Sequence, residues 1–376
     1  MTSLAQRLEG KRVVIVAGSG GVGKTTASAA LALGLAVGGA RVAVVTIDPA
    51  KRLAESLGLE QLGNEPRRVQ TELLQAAAPD TKMRGELWAM MLDPKATFDD
   101  LMVRLAPDAQ TRDEVLGNRI YRELSSAVAG TQEFSAIAKL YELHHEGGFD
   151  VLVLDTPPSR NALDFLDAPD RLTDFFEGRA LKVLLTPTGI AGRLLGAGTS
   201  VVFGVLKRIT GVDLLGDIAV FFRSLGGLVD GFKERAAGVK ALLSDPVTTF
   251  LIVASPEREP AAEAIFFHDK LREAEMPFGG LIVNRAHVVG AELGQPDALC
   301  AELDSALGTS LANKVADSVA DLQRLAARDA VSIAHLSDEL DEPDPIVVPM
   351  LDGDVTDVEG LLALYRHLAG DGAARG

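Results

Sequence analysis

A glycine-rich segment near the start of the chain has the residue types and spacing that hold phosphate groups. It is Gly18-Ser19-Gly20-Gly21-Val22-Gly23-Lys24-Thr25, which matches the pattern G-x-x-x-x-G-K-[ST]. Glycines let successive backbone N–H groups curl towards phosphate oxygens. Lys24 can then reach the β- and γ-phosphates, and the Thr25 hydroxyl can bind Mg²⁺. The alternative is a glycine-rich turn before an ordinary helix, but the residues and their context favour a loop for a nucleoside triphosphate and Mg²⁺.

Two aspartates follow apolar runs that we predict as buried strands. Asp155 ends the run VLVL and begins DTPPS, so it can hold Mg²⁺ directly or through water. Its alternative role is a helix N-cap ahead of Pro157. Asp48 begins DPAKRL, so it either caps a helix that has Pro49 as its first residue or orients the water that attacks a γ-phosphate. Spacing alone supports the two roles of Asp48 equally.

Other polar residues carry weaker signals. Asn284 ends the run LIVN, where its amide can bind an adenine edge or simply form a turn. His144 and His145 lie in LYELHHEGG, where a helix C-terminus explains them better than a metal does. Cys300 is predicted to pack as a small apolar group. As the only cysteine, it excludes an internal disulfide and a zinc site built from several thiolates of one chain.

The elements that must position these residues follow from the apolar runs. We predict seven strands, at 12–17, 41–48, 86–92, 149–155, 248–255, 278–284 and 345–350. Nearly all are continuous apolar runs that alternate with helical stretches, so we predict an α/β fold with a mostly parallel sheet and helices on both faces. Residues 94–145 and 162–243 are predicted to be helical insertions in a single domain over residues 1–376.

Composition narrows the class of protein. The chain has 376 residues and a formal charge of −16, which disfavours a general nucleic-acid binder. The N-terminal apolar stretch is short and runs into the glycine-rich loop, so we expect no signal peptide. The apolar run at 194–206 is shorter than the roughly 20 residues that a spanning helix needs. We therefore expect a cytoplasmic protein, which can also be peripheral at the membrane.

The motifs, taken in order, resemble those of a known family. They are similar to the motifs of the arsenite-pump ATPases (ArsA) and of the tail-anchored-protein targeting ATPases. The motifs are the glycine-rich loop with Thr26 after it, then TIDPAKRL, DPKATFDDL, AGTQEF, DTPPSRNALDFLDAP and VNR. The resemblance runs from residue 12 to about residue 365 and includes actinobacterial anion-transporting ATPases. It implies a P-loop ATPase of the deviant-Walker class, with ATP and Mg²⁺ as cofactors.

The resemblance also implies roles for single residues. Asp48 would lie in switch I and position the hydrolytic water, and Asp155 to Pro158 would form switch II. Asn284 would contact adenine, and the loop around Pro349 would close over the base. Thr26 would belong to the nucleotide site with the rest of the loop. The family further implies a dimer with nucleotides at its interface.

Two departures from the family pattern affect these expectations. The family's loop usually begins G-K-G-G, and that lysine reaches the partner's nucleotide, whereas this chain has Ser19. A hydroxyl cannot stabilise developing phosphate charge as an ammonium can, so Arg52 and Arg160 are candidate substitutes. The Cys-x-x-Cys of some eukaryotic members is also missing. The apolar stretch 181–232 would be either a groove for a client transmembrane helix or a helical cap over the domain's own core.

We therefore predict a Mg·ATP-dependent dimeric ATPase that serves a membrane-protein client or a transport component. The partner would be a second copy or a paralogous ATPase subunit. The alternative is a regulatory, weakly hydrolysing subunit of a heteromeric complex, which Ser19 favours. A DNA-bound partitioning ATPase is a third possibility, and the negative charge and the apolar insertion count against it. Arsenite binding is not expected, because soft arsenite requires several thiolates.

Overall fold

The computed structural model describes residues 4–48, 51–72, 74, 81–119, 121–122, 131–157, 167–168, 170, 228–289 and 295–370. The chain divides into two compact units. Unit 1 comprises Met1–Met91, Phe149–Leu163 and Ser244–Gly376, and unit 2 comprises Leu92–Gly148 and Asp164–Leu243. The phosphate loop and the two candidate aspartates belong to unit 1.

The described strands and helices alternate along most of the chain. The strands are β1 Val13–Gly18, β2 Arg41–Thr46, β3 Arg67–Arg68, β4 Glu86–Met91, β5 Val151–Asp155, β6 Thr248–Ala254, β7 Phe278–Ala286 and β8 Ile346–Pro349. The helices are α1 Leu4–Arg7, α2 Lys24–Gly38, α3 Arg52–Ser56, α4 Pro94–Leu105, α5 Ala109–Gly117, α6 Thr131–Glu146, α7 Val229–Ser244, α8 Arg258–Glu273, α9 Pro296–Leu307, α10 Thr309–Glu339 and α11 Val358–Ala369.

Unit 1 is built on one sheet with the strand order β3-β4-β2-β5-β1-β6-β7-β8. All neighbouring strands are parallel except β3, which pairs antiparallel to β4. The predicted α/β fold is confirmed, and all seven predicted strands are present. The additional strand, β3, consists of two exposed arginines, so no apolar run marks it in the sequence.

The central strands explain why this fold suits a site at one edge of the sheet. Every residue of β1 and β6 is buried, as expected for strands covered on both faces. β1 lies between β5 and β6, with Val16 beside Asp155 and Gly18 beside Val253. β2 also pairs with β5 and places Thr46 beside Asp155. The carboxyl ends of β1, β2 and β5 therefore meet at one place.

Helix α2 follows β1 and packs tightly in unit 1. Its sequence is rich in alanine, the best helix former, and it ends at Gly38 before the left-handed Gly39. α2 contacts α11. Asp357 is the N-cap of α11, and its side chain accepts a hydrogen bond from the N–H of Gly360. At this contact a Cβ atom on Gly34 would lie 2.2 Å from ring carbons of Tyr365. The close approach of the two helices thus depends on a glycine at position 34.

Unit 2 is helical in its described part, as predicted for residues 94–145. Asp93 caps α4 and Asp108 caps α5, each by accepting a backbone N–H with its side chain. Its core contains an aromatic cluster of Phe98, Tyr121, Phe134 and Phe232, with ring centroids 4.9–6.3 Å apart. Of the second predicted insertion, residues 162–166, 169 and 171–227 lie outside the described residues. None of the helices in the described part combines the length and apolar character needed to cross a bilayer.

We predict that Gly34→Ala destabilises unit 1 although alanine is the better helix former. The new methyl group overlaps the Tyr365 ring, and such overpacking costs about 1–3 kcal/mol, which exceeds the roughly 1 kcal/mol gained in helix propensity. Urea unfolding followed by the fluorescence of Trp88, the single tryptophan, measures this in unit 1.

Gly38→Ala is the matched control, because it makes the same change on the same helix. A Cβ atom on Gly38 meets nothing within 4 Å. We expect this variant to be as stable as the wild type or up to about 1 kcal/mol more stable. Equal stability of the two variants would contradict the packing argument.

Candidate functional site

The phosphate loop connects β1 to α2, and two of its glycines occupy positions that no other residue fits. Gly18 has φ 151°, and a Cβ atom there would lie 2.0 Å from the carbonyl oxygen of Val253. Gly23 has φ 97°, and its Cβ would lie 2.4 Å from Nδ2 of Asn284. Gly23 is also the N-cap of α2 and, as a glycine, offers no side-chain acceptor. The first N–H groups of α2 therefore face an open end that suits an anion.

Lys24 lies folded across this loop. Its Nζ donates a hydrogen bond of 2.8 Å to the backbone oxygen of Ser19, and the residue is 7% exposed. Burial lowers the pKa of the Lys24 ammonium, while the charges of Asp155 and Asp48 act in the opposite direction. A phosphate oxygen would offer this buried cation a stronger acceptor than the neutral carbonyl that it now contacts.

Asp155 is the most strongly constrained polar group of the site. Its Oδ2 accepts the hydroxyl protons of Thr25 at 2.6 Å and Thr46 at 2.8 Å, and the residue is 1% exposed. Its Oδ1 is buried and has no hydrogen-bond partner among the described residues. Burial raises the pKa of Asp155 to about 6, against the opposing effects of the two hydroxyls and Lys24.

This arrangement fits a divalent cation. An orphaned buried carboxylate oxygen costs free energy unless a partner arrives, and a hard cation such as Mg²⁺ prefers oxygen ligands. The Thr25 hydroxyl donates its hydrogen bond to Asp155, so its lone pairs remain available to bind a metal. The alternative role of Asp155 as a helix cap concerns residues 158–166, which lie outside the described residues.

Asp48 lies two residues beyond the end of β2 and is half-buried. Its backbone N–H donates to the Thr46 hydroxyl at 3.2 Å, and its charge acts on both Lys24 and Asp155. The structure places Lys51, not Asp48, at the N-cap of α3, because that helix begins only at Arg52. The capping role considered for Asp48 has Pro49 as the first helical residue, so it stays a prediction. Pro49 lies outside the described residues.

Asn284 is inside β7 rather than in a turn after the strand, so the turn interpretation is wrong. Its Nδ2 donates to the backbone oxygen of Val22 at 2.8 Å, and its Oδ1 accepts the N–H of Arg285 at 3.0 Å. The amide thus holds the phosphate loop and keeps a second N–H for a ligand. Pro349 ends the adjacent strand β8 and pairs with Ala286 of β7. Pro349 and Asn284 therefore lie on neighbouring strands.

The structure does not bring all candidates together. His144 and His145 lie on α6 in unit 2, where His145 Nδ1 is 2.9 Å from the backbone oxygen of Tyr141. No group of three or more His, Cys, Asp or Glu side chains that could hold a metal ion occurs among the described residues. Cys300 was predicted to pack as a small apolar group, but it is partly exposed, because α9 has no buried residue. Its thiol donates a hydrogen bond to Oδ1 of Asn313 at 3.1 Å.

The structure also adds a residue that sequence reasoning missed. Thr46 is 1% exposed and joins Asp155 to Asp48 through its hydroxyl. A polar residue at the end of an apolar strand was the signal available, but its partners follow only from the pairing of β2 with β5. Pro158 and Arg160 of the predicted switch II segment, and most of the apolar stretch 181–232, lie outside the described residues.

Comparisons with known proteins agree with this architecture. The family described as "anion-transporting ATPase" has a statistical model that matches residues 11–303. The chain is 32% identical over 250 residues to ATPase get3 of Aspergillus terreus, which covers 65% of this chain and 64% of that protein. It is 26% identical over 278 residues to ATPase ARSA2 of Chlamydomonas reinhardtii, which covers 72% of this chain and 67% of the relative. It is also 26% identical over 279 residues to ATPase GET3A of Arabidopsis thaliana, which covers 74% and 67%. The chain thus spans under two thirds of the length of the Aspergillus relative.

We predict that Asp155 makes the metal-free protein less stable as the pH rises. The folded pKa of about 6 exceeds the ordinary value of 3.8, so folding favours the protonated carboxyl. This contribution is present below pH 3.8 and is lost as the pH rises through about 6. In EDTA we expect the wild type to lose about 2 kcal/mol relative to Asp155→Asn between about pH 4 and pH 7. Urea unfolding followed by Trp88 fluorescence measures the difference, and parallel pH profiles would contradict the prediction.

Proposed function

Because this chain belongs to the anion-transporting ATPase family, we propose that it binds Mg·ATP at the phosphate loop and hydrolyses it. The observation that carries the proposal is the buried Asp155, whose Oδ2 accepts a hydrogen bond from the Thr25 hydroxyl while its Oδ1 has no partner in the described part of the chain. A cation site formed by an aspartate and the loop threonine is the arrangement that nucleotide hydrolysis requires in loops of this type.

The described residues divide the work of binding. The N-terminus of α2 and the backbone of Gly18 to Thr26 cradle the phosphates, and Lys24 exchanges the Ser19 carbonyl for phosphate oxygens. The remaining N–H of Asn284 meets the base, while Pro349 on the neighbouring strand borders the same edge of the sheet. Thr25 and Asp155 would hold Mg²⁺, and the bound ion would supply positive charge to the phosphate groups.

Hydrolysis needs a group that orients water, and Asp48 is the candidate. Its carboxylate is close enough to Lys24 and Asp155 for their charges to interact, so it lies near the expected γ-phosphate. In-line attack by water forms the new P–O bond while the bond to the ADP oxygen breaks. Asp48 accepts a hydrogen bond from the attacking water, and Lys24 stabilises the charge that develops on the phosphoryl oxygens.

Ser19 bears on the assembly. In this chain the backbone oxygen of Ser19 anchors Lys24, and the residue is 8% exposed. A serine cannot supply the ammonium that the family lysine would give to a partner's nucleotide. We therefore propose a nucleotide-dependent dimer, most simply a heterodimer with a paralogous subunit that carries this lysine. A regulatory, weakly hydrolysing subunit is the second candidate function, and Ser19 is the observation that favours it.

The output that we propose is service to a membrane-protein client or a transport component. It rests on the family and on the apolar stretch 181–232, of which only 228–232 are among the described residues. Arsenite is not proposed as a ligand, because the chain has a single cysteine and that thiol is bonded to Asn313.

We predict that Asp48→Asn separates ATP binding from hydrolysis. The amide keeps the size of the side chain but lacks the charge that orients water, so turnover should fall by about 100-fold or more while Mg·ATP affinity changes little. Lys24→Ala is the comparison variant, and it should lose both binding and turnover. Phosphate release and nucleotide titration, with and without the native partner, measure the two effects. Normal turnover by Lys24→Ala would overturn the assignment of this loop.

We predict that Ser19→Lys raises the turnover of the isolated chain when it dimerises face to face. A phosphate-facing cation supplied in trans is worth about 10²- to 10⁵-fold in related chemistry. Ser19→Met is the matched control, because methionine has a stem of similar length without the charge. Fast hydrolysis by the wild-type homodimer with no effect of Ser19→Lys would contradict the heterodimer. Arg52, the described member of the two candidate arginines, would then be the first residue to replace.

A further inference from the structure

Thr46 lies where two functional segments of the proposed site come closest. It is the last residue of β2 and pairs with Asp155, the last residue of β5, so the sheet itself fixes their separation. The Thr46 hydroxyl donates to Oδ2 of Asp155 at 2.8 Å and accepts the backbone N–H of Asp48 at 3.2 Å. The residue is 1% exposed, so its bond to Asp155 is buried, while its bond to the half-buried Asp48 is partly buried.

The direction of these hydrogen bonds follows from their chemistry. A threonine hydroxyl has a single proton, and an ionised carboxylate can only accept. The proton of Thr46 is therefore committed to Asp155, and only its lone pairs remain for the N–H of Asp48. The Thr25 hydroxyl also donates a hydrogen bond to the same Oδ2. The four residues thus form one chain of hydrogen bonds that polarise one another.

We propose that Thr46 is a positioning residue that couples the cation site at Thr25 and Asp155 to the backbone of Asp48. When Asp155 is held as a carboxylate with Oδ2 towards the two threonines, Thr46 is oriented to hold the Asp48 peptide. When the carboxylate turns away, Thr46 loses its acceptor, its hydroxyl is free to rotate, and its hold on the Asp48 N–H weakens. The proposal rests on the proposed function, because it assigns the cation to Asp155 and the water to Asp48.

The competing explanation is that Thr46 merely satisfies a buried carboxylate. Two substitutions separate the explanations. Thr46→Val keeps the shape of the side chain and removes the hydroxyl, whereas Thr46→Ser keeps the hydroxyl and removes a methyl group. A role in coupling requires the hydroxyl, so Thr46→Ser should behave as the wild type and Thr46→Val should not.

Thr249→Val is a matched control for the loss of a buried hydroxyl. Thr249 is on β6 of the same unit and is 1% exposed, and its Oγ1 has no hydrogen-bond partner in the described part of the chain. This variant makes the same chemical change without breaking a hydrogen bond. It should therefore leave both nucleotide binding and the exchange of the Asp48 amide unchanged.

The test is amide hydrogen exchange of the full chain, read from peptides that end near Pro49. Pro49 has no amide proton, so the last amides of these peptides that report exchange are those of Ile47 and Asp48. In the wild type, Mg·ADP should slow this exchange by about tenfold more than ADP in EDTA does. Thr46→Val should lose that Mg²⁺-dependent difference, while its affinity for ADP in EDTA stays within about threefold. Retention of the difference by Thr46→Val would overturn the proposal.

A second measurement removes the ambiguity of a general loss of activity. Thr46→Val should lower turnover by up to about 100-fold, and the double variant with Asp48→Asn should be no slower than the slower single variant. If the two substitutions lower turnover by factors that multiply in the double variant, Thr46 does not act through Asp48, and the coupling is overturned. If the wild type shows no Mg²⁺-dependent nucleotide binding, the proposed function fails, and the coupling fails with it.

Discussion

The burial of one carboxylate, that of Asp155, is the constraint on which the candidate site depends. A buried ionised carboxylate is costly unless hydrogen bonds and opposite charge compensate it. Here two threonine hydroxyls share one of its oxygens and the Lys24 ammonium lies nearby, yet its pKa is still raised to about 6. The compensation is therefore incomplete, and the uncompensated part is the buried Oδ1, which has no hydrogen-bond partner among the described residues. Binding of a cation would complete it.

The sheet explains why these groups meet. Thr46 and Asp155 end neighbouring strands, and the loop that carries Thr25 begins at the end of β1, on the other side of β5. The loop is also held from its far side, where the Asn284 amide bonds to Val22 and packs against Gly23. The conformation of the loop thus follows from contacts with β5, β6 and β7 in addition to its own glycines.

The sequence predicts the parts of this site that depend on local pattern. Continuous apolar runs predicted all seven long strands, and the glycine, lysine and threonine spacing predicted the loop. The role of Thr46 and the contact of Asn284 with Val22 could not be predicted, because they depend on which strands are neighbours in the sheet. The partial exposure of Cys300 depends on its position on α9, a helix with no buried residue, whereas free cysteines in general are mostly buried. Pro49 after Asp48 left a helix cap as an alternative role, and the described helix α3 begins at Arg52 with Lys51 at its N-cap.

The hydrogen bond of Lys24 does not depend on the side chain at position 19, where this chain has serine instead of the family's lysine. Lys24 bonds to the backbone oxygen of Ser19, and a backbone carbonyl is present whatever side chain the residue carries. Lys24 therefore has the same backbone acceptor whether residue 19 is a lysine or a serine. What differs is only the charge that the loop can present beyond its own chain. Ser19 therefore leaves in place the three side chains on which the proposed nucleotide site depends, those of Lys24, Thr25 and Asp155.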